Sequence, residues 1–281
     1  MPDSAAPQSQ GRIITAPINF MTREQPERPS VRMLSDHAKP NPRFGNFELV
    51  DVDILDARAL AEPASIDREG FGLSVMPTKV TDFYDEGQIA DVYYPEIIDF
   101  LKRETGATDV HIFDHTVRVQ DDAKREANAR RLPVIIAHND YTERSGPKRV
   151  RDVMDAAAAD KFLGHRFAMV NVWRSFGASA ELAPLASADA RTLKPEDFLE
   201  TDLIYDERKG EIYQNAWGPH QRWYWYPGMA GDEVMLLKCF DTATDGRARY
   251  SAHTGFNNPH APKGTPPRES IEVRTMISFA P

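Results

Sequence analysis

His138, Asn139 and Asp140 close an apolar run that begins at Leu132, and they carry the strongest chemical suggestion in the chain. A β-strand points residues i and i+2 to the same face, so an imidazole and a carboxylate would stand side by side there. One more histidine would complete a 2-His-1-carboxylate face, the arrangement that holds non-haem Fe(II) with open positions. Eight histidines and 43 acids among 281 residues give about one His-x-Asp/Glu by chance, so the tripeptide alone decides nothing. Placement says more: a strand-like run precedes it, and a loop pattern from Tyr141 to Pro147 follows.

Two downstream histidines compete for the third position. His253 is the choice, because the apolar strand pattern Glu233–Phe240 leads towards it and Arg268-Glu269-Ser270 follows. His220, among Trp217 and Trp223–Tyr226, is the alternative ligand or a substrate-pocket residue. Arg268 matters because a dicarboxylate such as 2-oxoglutarate chelates iron by its keto-acid end and leaves a distal carboxylate in a buried pocket. A guanidinium fork suits that carboxylate, and Ser270, on the same strand face, can add a hydroxyl. Arg274 shares that face and is an alternative anchor, as is Lys238. His37, His111, His165 and His260 show no ligand-like neighbours.

The bulk composition is ordinary globular: 41% hydrophobic, 27% charged and 10% aromatic, enough for a sizeable core. A net charge of −9 argues against nucleic acid or an anionic membrane as the main partner. The apolar stretches are far shorter than the roughly 20 residues of a membrane span. The single cysteine, Cys239, lies in an apolar run and reads as a buried small hydrophobe. With no secretory pattern at residues 1–11, the expected location is cytoplasmic.

Residues 1–11 read as disordered, and 12–281 as a single domain. Segment 12–20 suits an edge strand because of Pro17, and 21–45 an ordered arm over the core. Strands are expected at 47–55 and 72–77, a short helix at 56–60, and an amphipathic helix at 94–105 ending at Gly106. Further strands are expected at 110–119, 134–140, 167–174, 212–213, 223–226, 233–240, 249–256 and 270–279, with one helix from 146 to about 162. Many strands without a βαβ rhythm point to a mainly β sandwich or jelly roll.

Several segments in this order resemble one family. His138–Pro147, Asn171-Val172-Trp173-Arg174, Trp223–Pro227, Asp232–Asp241, His253-Thr254-Gly255-Phe256 and Pro267–Arg274 are similar to the CmcJ/NvfI/AsaB-like hydroxylase/desaturases, which include fungal gibberellin desaturase-like proteins. Asp114–Arg118 also fits. The resemblance implies a double-stranded β-helix (cupin-like) with flanking helices and an N-terminal arm. It also implies Fe(II), 2-oxoglutarate and O₂ as metal, cosubstrate and oxidant, with hydroxylation or desaturation of a small natural-product-like molecule and release of succinate and CO₂. His138 and Asp140 match the metal pair; a long gap before His253 is filled by an insertion at about 176–210. Gly255 stands where relatives are expected to carry alanine, a change expected to act on packing.

The expected substrate pocket comprises Tyr141, Trp173, Arg174, Trp223, Trp225 and His220. Trp223 and Trp225 point to one strand face and Tyr224 and Tyr226 to the other, so one pair lines a pocket while the other packs a core. His115 and Arg118 also fall on opposite faces, so at most one looks inward. A homodimer is a permitted assembly. Two other readings remain open: a cupin-like metal-dependent hydrolase or isomerase, and a non-catalytic small-molecule binder.

Overall fold

The computed structural model describes residues 12–36, 39–128, 130–177 and 180–280. The disorder expected for 1–11, and His37, lie outside the described residues. The chain opens with β1 (Ile13–Met21), β2 (Ser30–Arg32), β3 (Arg43–Phe44), β4 (Phe47–Asp56) and β5 (Phe71–Val75). A helical stretch follows, α1 (Glu86–Gln88) passing through a wider turn at Ile89–Tyr93 into α2 (Tyr94–Thr105). Next come β6 (Asp109–Val119), α3 (Asp122–Ala127), β7 (His138–Asn139), α4 (Ser145–Val153) and α5 (Ala156–Leu163). The rest is β8 (Phe167–Ser175), β9 (Leu185–Ala188), β10 (Phe198–Ile204), β11 (Lys209–Asn215), β12 (Trp223–Trp225), β13 (Glu233–Asp241), β14 (His253–Gly255) and β15 (Glu269–Ser278).

The strands form two sheets. The larger has the order β1-β4-β12-β9-β14-β7-β11-β10-β2-β3, and the smaller β5-β13-β8-β15-β6. Between them lies an apolar layer that includes Phe71, Trp173, Met235, Leu237, Tyr141, Tyr224 and Tyr226. The opposite face of the small sheet (Val170, Val172, Leu236, Val273) packs on α2 through Ile97, Phe100 and Leu101. This is why β8 is buried along its whole length: alternate residues enter two different cores. A third layer, closed by β1 and β4, holds Trp223, Trp225, Phe20 and Phe256.

Local chemistry explains most boundaries. Helix α2 has Pro95 in its first turn and ends at Gly106, whose φ of 73° is left-handed and suits glycine. The single helix expected over 146–162 is two helices. The backbone is extended at Met154, and Asp155 caps α5 by accepting from the Ala158 N–H. The run Leu132–Ala137 is not the regular strand expected. Pro133 has no N–H, and the run's hydrogen bonds go to several neighbours: Val134 O accepts from Gly255 N, and Ala137 N donates to Asn19 O. Only His138 and Asn139 pair as a strand. The segment at 176–210 is more than an insertion, because its β9 lies between β12 and β14 in the large sheet.

Candidate metal and cosubstrate site

Strand register places the two histidines. His138 and His253 are direct partners across β7 and β14, so their side chains share a face, with ring centroids 4.5 Å apart. The same row continues through Gln214 on β11, Ser187 on β9 and Tyr224 on β12. Asp140 leaves the end of β7 and reaches the small sheet, where Asn171 Nδ2 (2.8 Å) and Arg274 Nε (3.1 Å) donate to its Oδ2. The large sheet therefore supplies both imidazoles, and the small sheet positions the carboxylate.

These contacts leave three free donor atoms. His138 Nδ1 lies 2.8 Å from Ile136 O and His253 Nδ1 2.9 Å from Ser251 O. A carbonyl can only accept, so each Nδ1 carries the proton and each Nε2 keeps its lone pair. Asp140 Oδ1 is 3.6 Å from His138 Nε2, too far for a hydrogen bond. One ligand atom from each of His138, Asp140 and His253 lies within 4.8 Å of the others. Two oriented imidazoles and one carboxylate fit a divalent iron.

The electrostatics agree. Burial, reinforced by His253, pushes the His138 imidazole down to about 4, so it stays neutral and available at neutral pH. Burial alone would raise the Asp140 carboxyl, but Arg274 and the two imidazoles bring it far below the usual carboxylate range. Asp140 is thus an anion held for a cation. Arg274 also donates to Glu272 (2.9 Å) and Thr116 (2.9 Å), and Asn171 Nδ2 bonds Glu272 as well (3.0 Å).

Arg268 behaves differently. It is buried, its Nε donates to Ser270 Oγ (3.0 Å) and its Nη1 to Ala183 O (3.2 Å), and it stacks over Trp173 at 5.1 Å. No carboxylate among the described residues pairs with it. Burial pulls its guanidinium down to about 9, with Arg118 adding repulsion. The Trp173 Nε1 is also buried without a partner. An atom at the Cβ position of Gly255 would stand 3.2 Å from Arg268 Nη1. Since Gly255 is two residues along β14 from His253, the guanidinium sits beside the metal face, about 7 Å further along that strand. An unpaired buried cation and an orphaned donor fit an incoming carboxylate.

Five expected residues are elsewhere. His220 Nε2 lies 2.8 Å from Asp197 Oδ2, so it is neither third ligand nor pocket wall. Trp223 and Trp225 face the third core layer; the tyrosines of that strand, Tyr224 and Tyr226, take the inward face. Arg174 points towards the wider turn before α2, where its Nε donates to Tyr93 Oη at 2.9 Å, and its other nitrogens donate to the carbonyls of Gly231 and Met76. Lys238 is buried between Asp67 and Asp241, on the far side of the small sheet from the metal face. Arg274 serves Asp140 rather than an incoming carboxylate. Tyr141 and Trp173 do lie in the layer around the site.

Sequence reasoning missed Asn171, Glu272 and Gln214. The first two were legible from parity: Asn171 shares a strand face with Trp173, and Glu272 lies between Ser270 and Arg274. Gln214 carried no signal until register set it beside His138; both its side-chain polar atoms are buried without a partner.

A cavity of about 590 Å³ opens from His138, Asp140 and Arg274 to the surface, lined also by Phe113, Tyr141 and Arg118. No helix among the described residues is long and apolar enough to cross a membrane.

Known proteins resemble this chain over most of its length. A family model described as an oxidoreductase/YMDC permease-like domain matches residues 18–278. The hydroxylase/desaturase efuI of Hormonema carpetanum is 32% identical, over 80% of this chain and 82% of its own. The Fe(II)/2-oxoglutarate-dependent dioxygenase nvfI of Aspergillus novofumigatus is 27% identical, over 85% and 87%. A solved structure of the iron and alpha-ketoglutarate-dependent endoperoxidase NvfI superposes with a TM-score of 0.81 at 25% identity, covering 96% of this chain and 99% of that one.

Proposed function

Because the chain belongs to the hydroxylase/desaturase family of Fe(II)/2-oxoglutarate-dependent oxygenases, we propose that His138, Asp140 and His253 hold its iron, and that Arg268 with Ser270 receives the distal carboxylate of 2-oxoglutarate. The reaction class is hydroxylation or desaturation of a small organic molecule, at the expense of O₂ and 2-oxoglutarate. With both groups bound, the metal and cosubstrate supply O₂ activation coupled to decarboxylation of 2-oxoglutarate to succinate and CO₂.

The residues of the chain do the orienting. The Ile136 and Ser251 carbonyls fix both imidazoles with Nε2 inward. Arg274 and Asn171 hold one oxygen of Asp140 so that the other faces the histidines. Arg268 and Trp173 Nε1 offer donors to a carboxylate in a dry place, where charge-assisted hydrogen bonds are strong. Tyr141 and Phe113 give the cavity an apolar wall beside the metal face, so a substrate's reacting carbon can be held there. A reducing compartment suits the buried thiol of Cys239.

The observation that carries the assignment is the buried Arg268 without a counter-ion, one short strand from the metal face. A hydrolase or isomerase built on the same three donors would have no use for it. Succinate production from 2-oxoglutarate by anaerobically iron-loaded protein tests the assignment across a panel of small terpenoid and aromatic substrates. His138→Ala, Asp140→Ala and His253→Ala should each abolish it, whereas His220→Ala should not. Retention in His253→Ala with loss in His220→Ala would overturn the ligand set.

A further inference from the structure

The cavity mouth is cationic on an acidic protein. Nine Lys/Arg line it against five Asp/Glu, although the chain as a whole carries −9. The acids are already engaged: Glu86 with Arg130, Asp114 and Asp140 with Arg274, Asp152 with Lys148, and Glu211 with Arg144 and Arg28 outside the cavity. That leaves Arg43, Arg118, Arg131, Arg149, Arg208 and Lys209 with no carboxylate partner among the described residues. Several arginines elsewhere differ: Arg28, Arg58, Arg166, Arg191 and Arg247 each hold at least one carboxylate.

Two of the unpaired arginines sit together on the cavity wall. Arg118 and Arg131 bridge through their backbones, and the Arg118 Nη1 donates to Leu132 O at 2.8 Å. Burial is the largest force pulling Arg118 down to about 10; Glu272 and Asp140 attract it from a distance, while Arg274 and Arg131 repel it. Neither Arg118 nor Arg131 closes an ion pair with those acids, so a partly desolvated pair of guanidiniums is left with donors for an incoming anion. Arg149 lies 5.1 Å over the Phe113 ring, which meets Tyr141 edge-on at 6.5 Å. The cavity wall thus carries unpaired cations beside an aromatic path that includes Tyr141 and reaches Asp140.

We propose that the substrate is an organic anion, with a carboxylate clamped by Arg118 and Arg131 and an apolar body lying along Phe113 and Tyr141 towards the metal face. This rests on the oxygenase reading, and it assigns the 2-oxoglutarate carboxylate to Arg268 and the substrate carboxylate to Arg118 and Arg131. The clamp fixes one end of the molecule, so the carbon presented for oxidation is set by its distance from the acid group.

The test is calorimetric binding to Mn(II)-loaded protein with saturating 2-oxoglutarate, which closes the cosubstrate site to other acids. The probes are abietic acid and 2-naphthoic acid, each beside its methyl ester. At least one acid is expected to bind tenfold or more tightly than its ester. Arg131→Ala and Arg118→Ala should each cut that preference at least fivefold and leave 2-oxoglutarate affinity within twofold. The preference should also shrink as salt rises. Equal binding of acids and esters, absence of binding by both acids, or an unchanged preference in the double variant would overturn the clamp. Loss of 2-oxoglutarate binding in Arg118→Ala would also overturn it, by making Arg118 a cosubstrate anchor. If wild type binds 2-oxoglutarate yet shows no acid preference, only the clamp falls; if it binds no 2-oxoglutarate, the oxygenase assignment fails first.

Discussion

Arg268 and Arg274 belong to the same stretch of chain, six residues apart, and both point to the inner face of the small sheet, yet their surroundings are opposite. Arg274 meets Asp140, Glu272 and Asp114. Burial would pull it down, but these acids reverse that and hold it well above an ordinary arginine. Arg268 meets a serine hydroxyl, a backbone carbonyl and an indole face, and no carboxylate among the described residues closes an ion pair with it. A buried cation with its counter-ion built in is a positioning device. One without is a place for a ligand's anion.

Removing the ligands themselves should have the largest effect on this comparison, because both arginines then lose their object. Asp140→Ala leaves Arg274 partly unanswered and removes a metal donor. Metal content after anaerobic iron loading should fall below a tenth of wild type, and a variant that stays fully loaded would show that Asp140 is not a ligand. Arg274→Leu comes next. It leaves Asp140 and Glu272 uncompensated, at a cost of about 3 kcal/mol by denaturant unfolding. Loss of the hydrogen bond that orients Asp140 should weaken iron binding roughly 10-fold or more. Unchanged iron affinity would make Arg274 a purely structural residue.

Gly255→Ala offers a smaller perturbation beside Arg268. The new methyl would sit 2.9 Å from Val134 O and 3.2 Å from Arg268 Nη1, so both the Val134 backbone and the guanidinium must give way. The KM for 2-oxoglutarate should rise several-fold while iron affinity stays level; an unchanged KM would remove Arg268 from the cosubstrate's path. A pH profile gives the smallest and most selective signal. Arg268 holds its proton until about pH 9, below its unfolded value, because burial penalises the cation. Folding therefore carries that penalty in full below pH 9, and it is relieved as pH climbs towards 12. Over the same window the apparent affinity for 2-oxoglutarate should fall, while iron binding, which depends on the paired Arg274, should not follow it.

Much of this was legible in the chain. His138 and Asp140 were readable from the i, i+2 alternation of a strand, even though the strand proved only two residues long. Arg268, just before β15, was readable from its place after His253, and Ser270 from the parity it shares with Arg268. The tryptophan pair was misjudged because alternation says that Trp223 and Trp225 share a face, and not which core that face meets; β1 and β4 cover them, a contact distant in sequence. His220 stayed an alternative to His253 because a histidine before an aromatic strand is the same string whether its partner is Asp197 or a metal. Register separated them: β14 lies against β7, and no spacing rule supplies that pairing.

Anaerobic titration of the iron-loaded protein with 2-oxoglutarate, followed by the visible charge-transfer band of the chelated metal, addresses the two arginines together. Wild type should saturate. Arg268→Leu should need at least tenfold more 2-oxoglutarate at unchanged iron content, and Arg274→Leu should lose band intensity in proportion to the iron it fails to hold. Saturation of Arg268→Leu at the wild-type concentration, with full iron, would contradict the assignment.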